Sequence, residues 1–110
     1  MVRETLLLVN PHIEDFAAYD HFSRPLGLAL LAAHLERVFD VVCVDALVRD
    51  PGRAGRADGT GPFRAEIIEK PDVYRDVPRR YRRYGMDDGS FRERLAAIGR
   101  PRAALVTSVA

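Results

Sequence analysis

The sequence predicts an α/β fold built on a short parallel sheet, and three observations carry that expectation. Residues 5–9 (TLLLV) and 41–44 (VVCV) are continuous apolar runs, not alternating ones, as in strands covered on both faces. Between them, residues 25–39 carry apolar side chains at helical spacing. A third apolar run, residues 103–109 (AALVTSV), follows a second helical pattern at residues 87–98.

The first run stops at Asn10-Pro11, because proline cannot donate to a strand ladder. The helix over 25–39 opens at Ser23 or Arg24, with Pro25 in the first turn, where its missing N–H costs nothing. Leu26, Leu28, Leu30, Leu31, Leu35 and Val38 make its apolar surface broad, and a largely buried helix is expected. Strand, helix and strand then make a βαβ unit with a right-handed crossover. The connection after Asn10 is long for such a unit, where about 2–6 residues suffice. Residues 50–62 hold four of the eight glycines and two of the seven prolines, which makes them a loop. Residues 63–74 have no clean period, and 75–84 read as a short helix starting after Asp76. In the helix over 87–98, Ser90 reads as the N-cap with Glu93 completing a capping box. Phe91, Leu95 and Ile98 form its apolar face, and Gly99 and Pro101 end it. The expected sheet has three strands in the order 2-1-3. It is the start of a flavodoxin- or Rossmann-like three-layer fold that ends on an apolar strand, as if cut from a longer protein.

The 110 residues bound the chain to one domain, and a net charge of +1 gives no global pull toward nucleic acid or membrane. The single cysteine, Cys43, excludes an internal disulfide and a cysteine-only metal site, and its apolar run reads as core. No stretch reaches the roughly 20 apolar residues of a membrane span. The apolar run near the N-terminus is too short for a signal peptide, so a soluble, cytoplasmic protein is expected.

Ligands in open α/β sheets sit beyond the carboxyl ends of the strands. That edge comprises Asp45 to Asp50, the region after Val109 and the loop from Asn10 to Ser23, which carries His12, Glu14, Asp15, Tyr19, Asp20, His21 and Ser23. A surface loop packed on a neighbouring domain is the competing reading. Asp45 suits a ribose hydroxyl, although acids are also common there for turn reasons. His12, His21 and Asp20 are too loosely spaced to argue for a metal. A three-glycine dinucleotide fingerprint is absent, and the glycine-rich stretch lacks a P-loop ending. Between Tyr74 and Tyr84 lie five arginines and three tyrosines. Single-stranded nucleic acid binders interleave Arg and aromatic residues in this way, and so do protein interfaces. Nearby Asp72, Asp76, Asp87 and Asp88 weaken the field, which favours an interface or intramolecular pairing over nucleic acid.

The segments "LLLVNP", "RPLGLALLAAHLERV" and "VVCVDAL" together resemble the N-terminal cobalamin-binding-like domain that precedes many radical SAM catalytic domains. "GPFRAEIIEKP", "PRRYRRYG" and "ALVTS" resemble one branch of that group. The resemblance covers most of the chain. It implies an accessory domain spanning residues 1–110, N-terminal to the catalytic domain of the same protein, with Asn10, Pro11, His12, Tyr19, Pro25, Leu26 and Gly27 lining a cofactor or substrate cavity. Asp45 joins them as the acid that ends the second strand. His12 stands where the family has a second proline, and the Asp-x-His-x-x-Gly motif for a lower axial cobalt ligand is missing. The three-cysteine cluster motif is absent too, so a [4Fe–4S] cluster and S-adenosylmethionine belong to the parent protein's catalytic domain. The alternative is a non-enzymatic module that uses residues 74–84 on RNA or an acidic protein partner. In either case the strand at 103–109 is expected to join copies of the isolated chain.

Overall fold

The computed structural model describes residues 3–18, 26–49 and 62–107. The chain is α/β and divides into two compact units. The first comprises residues 1–11, 24–46 and 87–110, and the second residues 12–23 and 47–86.

The first unit holds the parallel sheet. Strand β1 (Thr5–Asn10) lies between β3 (Asp40–Asp45) and β6 (Ala103–Val106), which gives the expected strand order. Leu6 is opposite Val41 on one side and Ala103 on the other, and the register runs unbroken to Val9, opposite Val44 and Val106. Successive side chains of a strand point to opposite faces. Leu6 and Leu8 therefore meet helix α1 (Leu26–Leu35) through Leu28, with Ala32, Leu35 and Phe39 around them. Leu7 and Val9 join Val44 on the other face, against Phe91, Leu95 and Ile98 of helix α2 (Asp88–Ile98). A helix on each face makes β1 the buried centre of the unit, and Leu8 is fully enclosed.

The flanking elements are less buried than their composition suggests. Only Leu28 of α1 is buried, while Leu26 is 69% and Leu30 64% exposed. A three-stranded sheet covers one stripe of a helix and leaves the rest of an all-round apolar helix bare. The same geometry corrects Cys43, which is exposed on the edge strand β3 and is not a core residue. The apolar run of β6 lies at the other edge, with all four of its residues exposed.

The α1 helix ends earlier than expected, at Leu35, followed by a turn in which the Val38 and Phe39 amides donate to the Leu35 carbonyl. The Arg3 guanidinium donates to the carbonyls of Glu36 and Phe39 and pairs with Asp40 at 3.7 Å, so a cation satisfies orphan acceptors past the helix end. The cap of α2 is Asp87, not Ser90. The Asp87 carboxylate accepts from the Ser90 amide at 2.8 Å and from its hydroxyl at 3.1 Å. Gly99 ends α2 at φ 79°, a left-handed backbone that glycine adopts without strain.

The second unit holds a small antiparallel sheet that periodicity does not announce. Strand β5 (Arg82–Tyr84) lies between β2 (Ile13–Asp15) and β4 (Ala65–Ile67). The long connection after β1 thus contains a strand. The expected helix over 75–84 is replaced by a 3₁₀ turn at Asp72–Tyr74 and by β5. Charge sets the register: Arg83 lies opposite both Glu14 and Glu66, and its guanidinium reaches them at 3.0 and 3.5 Å. Residues 50–61 lie outside the described residues.

Candidate functional site

The carboxyl edge of the parallel sheet gathers three polar side chains. Asn10 ends β1, Asp45 ends β3, and Thr107 follows β6. The Asn10 Nδ2 donates to Asp45 Oδ1 at 2.9 Å, and Thr107 Oγ1 donates to Asn10 Oδ1 at 3.1 Å. A carboxylate only accepts, which fixes the orientation of the amide. The backbone holds all three in place: the Ala46 amide donates to the Asn10 carbonyl at 2.8 Å and the Thr107 amide to the Val9 carbonyl at 3.0 Å.

The location matters. The chain leaves β1 through α1 on one face to reach β3, and later returns through α2 on the other face to reach β6. The strand order therefore reverses direction between β1 and β6, and ligands of open α/β sheets bind at such a switch point. The Asn10–Thr107 hydrogen bond spans it.

Asn10 is 8% exposed. An amide has two donor hydrogens and two acceptor lone pairs. One of each is used on Asp45 and Thr107. Among the described residues, a second donor and a second acceptor of this buried group find no partner, and buried polar groups are normally satisfied.

Of the residues expected to form the site, Asn10 and Asp45 come together directly, with half-buried Pro11 following Asn10 in sequence. Leu26 and Gly27 stand exposed in the first turn of α1, and a Cβ at Gly27 would meet nothing within 4 Å. His12 belongs to the second unit, where its Nε2 donates to the Met86 carbonyl at 2.5 Å. Tyr19, Asp20, His21, Ser23 and Pro25 lie outside the described residues. Thr107 is the functional candidate that sequence reading missed, because the strand was expected to run to residue 109. The polar pair Thr107-Ser108 after the apolar run is the signal that marks its earlier end.

In the second unit, Arg83 is held between two carboxylates and the Tyr81 hydroxyl donates to the Glu14 carbonyl at 2.9 Å. Desolvation among its neighbours raises the Tyr81 phenol above its ordinary value, and the charge of Glu14 adds to this. Phe16 meets Tyr74 and Tyr81 edge-on at 5.4 and 5.3 Å between ring centres, and the Arg79 guanidinium lies 5.7 Å from the Phe16 ring centre. Among the described residues, Arg75, Arg79, Arg80 and Arg82 make no ion pair with a carboxylate.

Among the described residues no three His, Cys, Asp or Glu side chains group to hold a metal ion, and no helix is long and apolar enough to cross a membrane. No protein-family model, curated protein or solved structure matches the chain.

Proposed function

We propose that this chain is the accessory N-terminal cobalamin-binding-like domain of a radical SAM enzyme, and that its parallel sheet begins a flavodoxin- or Rossmann-like fold. The domain catalyses nothing by itself. It lines a cavity against the catalytic domain of the same, longer protein. The observation that supports this best is the buried Asn10 amide at the switch point, with a donor and an acceptor unspent among the described residues. A ligand that offers both, as a primary amide does, completes it. Cobalamin is fringed with such amides, so Asn10, Asp45 and Thr107 suit the rim of its ring. They do not suit its metal: His12 Nε2 is engaged with Met86 O in the other unit, and no imidazole lies among the three. Asn10, Asp45 and Thr107 would hold the group through its side-chain amides. When bound, cobalamin supplies a cobalt centre that carries a methyl group or an electron.

The iron–sulfur cluster and S-adenosylmethionine fall to the catalytic domain, since one thiol cannot hold a cluster. A cytoplasmic setting follows from the same reading. In isolation, the exposed edge strand β6 is expected to join copies of the chain, and a monomer in sedimentation at high concentration removes that part of the proposal.

The test is a cobalamin titration of the product of the native reading frame, followed by visible absorbance. Saturable binding is expected, weakened roughly tenfold by Asn10→Ala, which removes two neutral amide hydrogen bonds to the ligand at about 0.7 kcal/mol each. Absence of binding, together with a reading frame lacking three closely spaced cysteines, overturns the proposal.

A further inference from the structure

Among the described residues, ion pairing accounts for one of the five arginines between residues 75 and 83. Arg83 is neutralised by Glu14 and Glu66. Arg75, Arg80 and Arg82 have no carboxylate partner among the described residues, and Arg79 stacks over Phe16. Residues 69–82 carry five cations against three carboxylates, Glu69, Asp72 and Asp76. None of those three carboxylates is spent on a described cation.

The unpaired cations are set among aromatic rings. Phe16, Tyr74 and Tyr81 touch one another, with 6.1 Å between the centres of the two tyrosines. Tyr74 leaves 41% of its surface to solvent, beside Val73 at 81%. Arg75 and Arg80 adjoin Tyr74 and Tyr81 in sequence, and Arg79 sits on the cluster itself. Exposed guanidiniums around an exposed ring meet two demands at once: phosphate charge and a flat base.

We infer that this surface of the second unit binds single-stranded RNA, with Arg75, Arg79 and Arg80 meeting phosphates and Tyr74 stacking on a base. An acidic polypeptide would satisfy the guanidiniums but has no use for the ring, and a duplex hides its base faces. The inference is independent of the Asn10 site, which lies in the other unit.

The experiment measures fluorescence anisotropy of a short labelled oligouridine with the full chain as salt is raised. Neutralising about three phosphates on a single strand gives a slope near −2 in log affinity against log salt. Arg79→Ala with Arg80→Ala makes the slope shallower by roughly 1.4. Tyr74→Ala weakens binding roughly tenfold with the slope unchanged, and Tyr74→Phe restores it, since stacking needs the ring and not the hydroxyl. All these positions are exposed, and circular dichroism checks that the variants keep the fold. No binding at low salt overturns the inference, and so does a Tyr74→Ala variant as tight as the unaltered chain. Labelled poly-glutamate bound as tightly as oligouridine also overturns it, by assigning the surface to an acidic polypeptide.

Discussion

Asn10→Asp tests the polar link at the carboxyl edge of the parallel sheet. The substitution keeps size and shape but replaces the donating Nδ2, which stands 2.9 Å from Asp45 Oδ1, by a second carboxylate oxygen. Two unit charges about 4 Å apart repel by about 4 kcal/mol at an effective dielectric of about 20. Asp45 is half-buried, so solvent screens part of this, and a loss of about 2–3 kcal/mol is expected at neutral pH. Asn10→Ala loses the hydrogen bonds to Asp45 and Thr107 at about 1 kcal/mol each, a similar total. The two variants separate on acidification. A proton shared by the new pair relieves the repulsion, so the folded form of Asn10→Asp binds protons more readily than its unfolded form and regains stability as pH falls. Asn10→Ala has no such pair and regains nothing. Urea midpoints of both variants against the unaltered chain, near pH 7 and about pH 4, measure this. If the gap between Asn10→Asp and Asn10→Ala is the same at both pH values, Asn10 and Asp45 do not form this link.

The remaining predictions concern the core and the second unit. Leu8→Ala opens a cavity at the fully enclosed centre of the sheet and costs about 2–5 kcal/mol in urea unfolding; a loss under about 1 kcal/mol would mean that β1 is not central. The phenol of Tyr81, raised in the fold, favours the folded state while it stays protonated, so its contribution is intact below pH 10.0 and is lost as pH rises past that value. Tyr81→Phe should therefore flatten the alkaline fall in stability, and an unchanged profile would remove Tyr81 as its source. Cys43 should react with a thiol-specific disulfide reagent in the native state as fast as in urea, and strong native protection would place it in the core.

What was legible in the sequence follows from length and sign. Strand β1 and the core of β3 were readable because a run of apolar residues has few places to go but a core. The order of the parallel strands matches the expected 2-1-3, although βαβ connection rules fix the hand of each crossover and not the order. Strands β2, β4 and β5 are three residues each, too short for any period, and their sequences IED, AEI and RRY are mostly charged. Their pairing depends on Arg83 finding Glu14 and Glu66, a long-range match that no local pattern carries. Burial was over-read in α1 because an all-round apolar helix tells which residues prefer to be covered but not how many a three-stranded sheet can cover. Within the site, Asn10 and Asp45 were readable as polar residues ending apolar runs, whereas Thr107 was hidden inside an overlong strand.

The bond between Asn10 and Thr107 joins residues 97 positions apart. Chains emerge from the ribosome N-terminal end first, at about 5–20 residues per second. The βαβ portion, through Asp45, is therefore out well before β6 exists, and one edge of the most apolar strand waits through the synthesis of the entire second unit. Within the three-stranded parallel sheet, the switch point closes after the β1–β3 pairing. A ribosome paused before residue 103 holds a chain with β1 half-paired and no Thr107 to meet Asn10, and that nascent form is where chaperone binding and misassembly would concentrate.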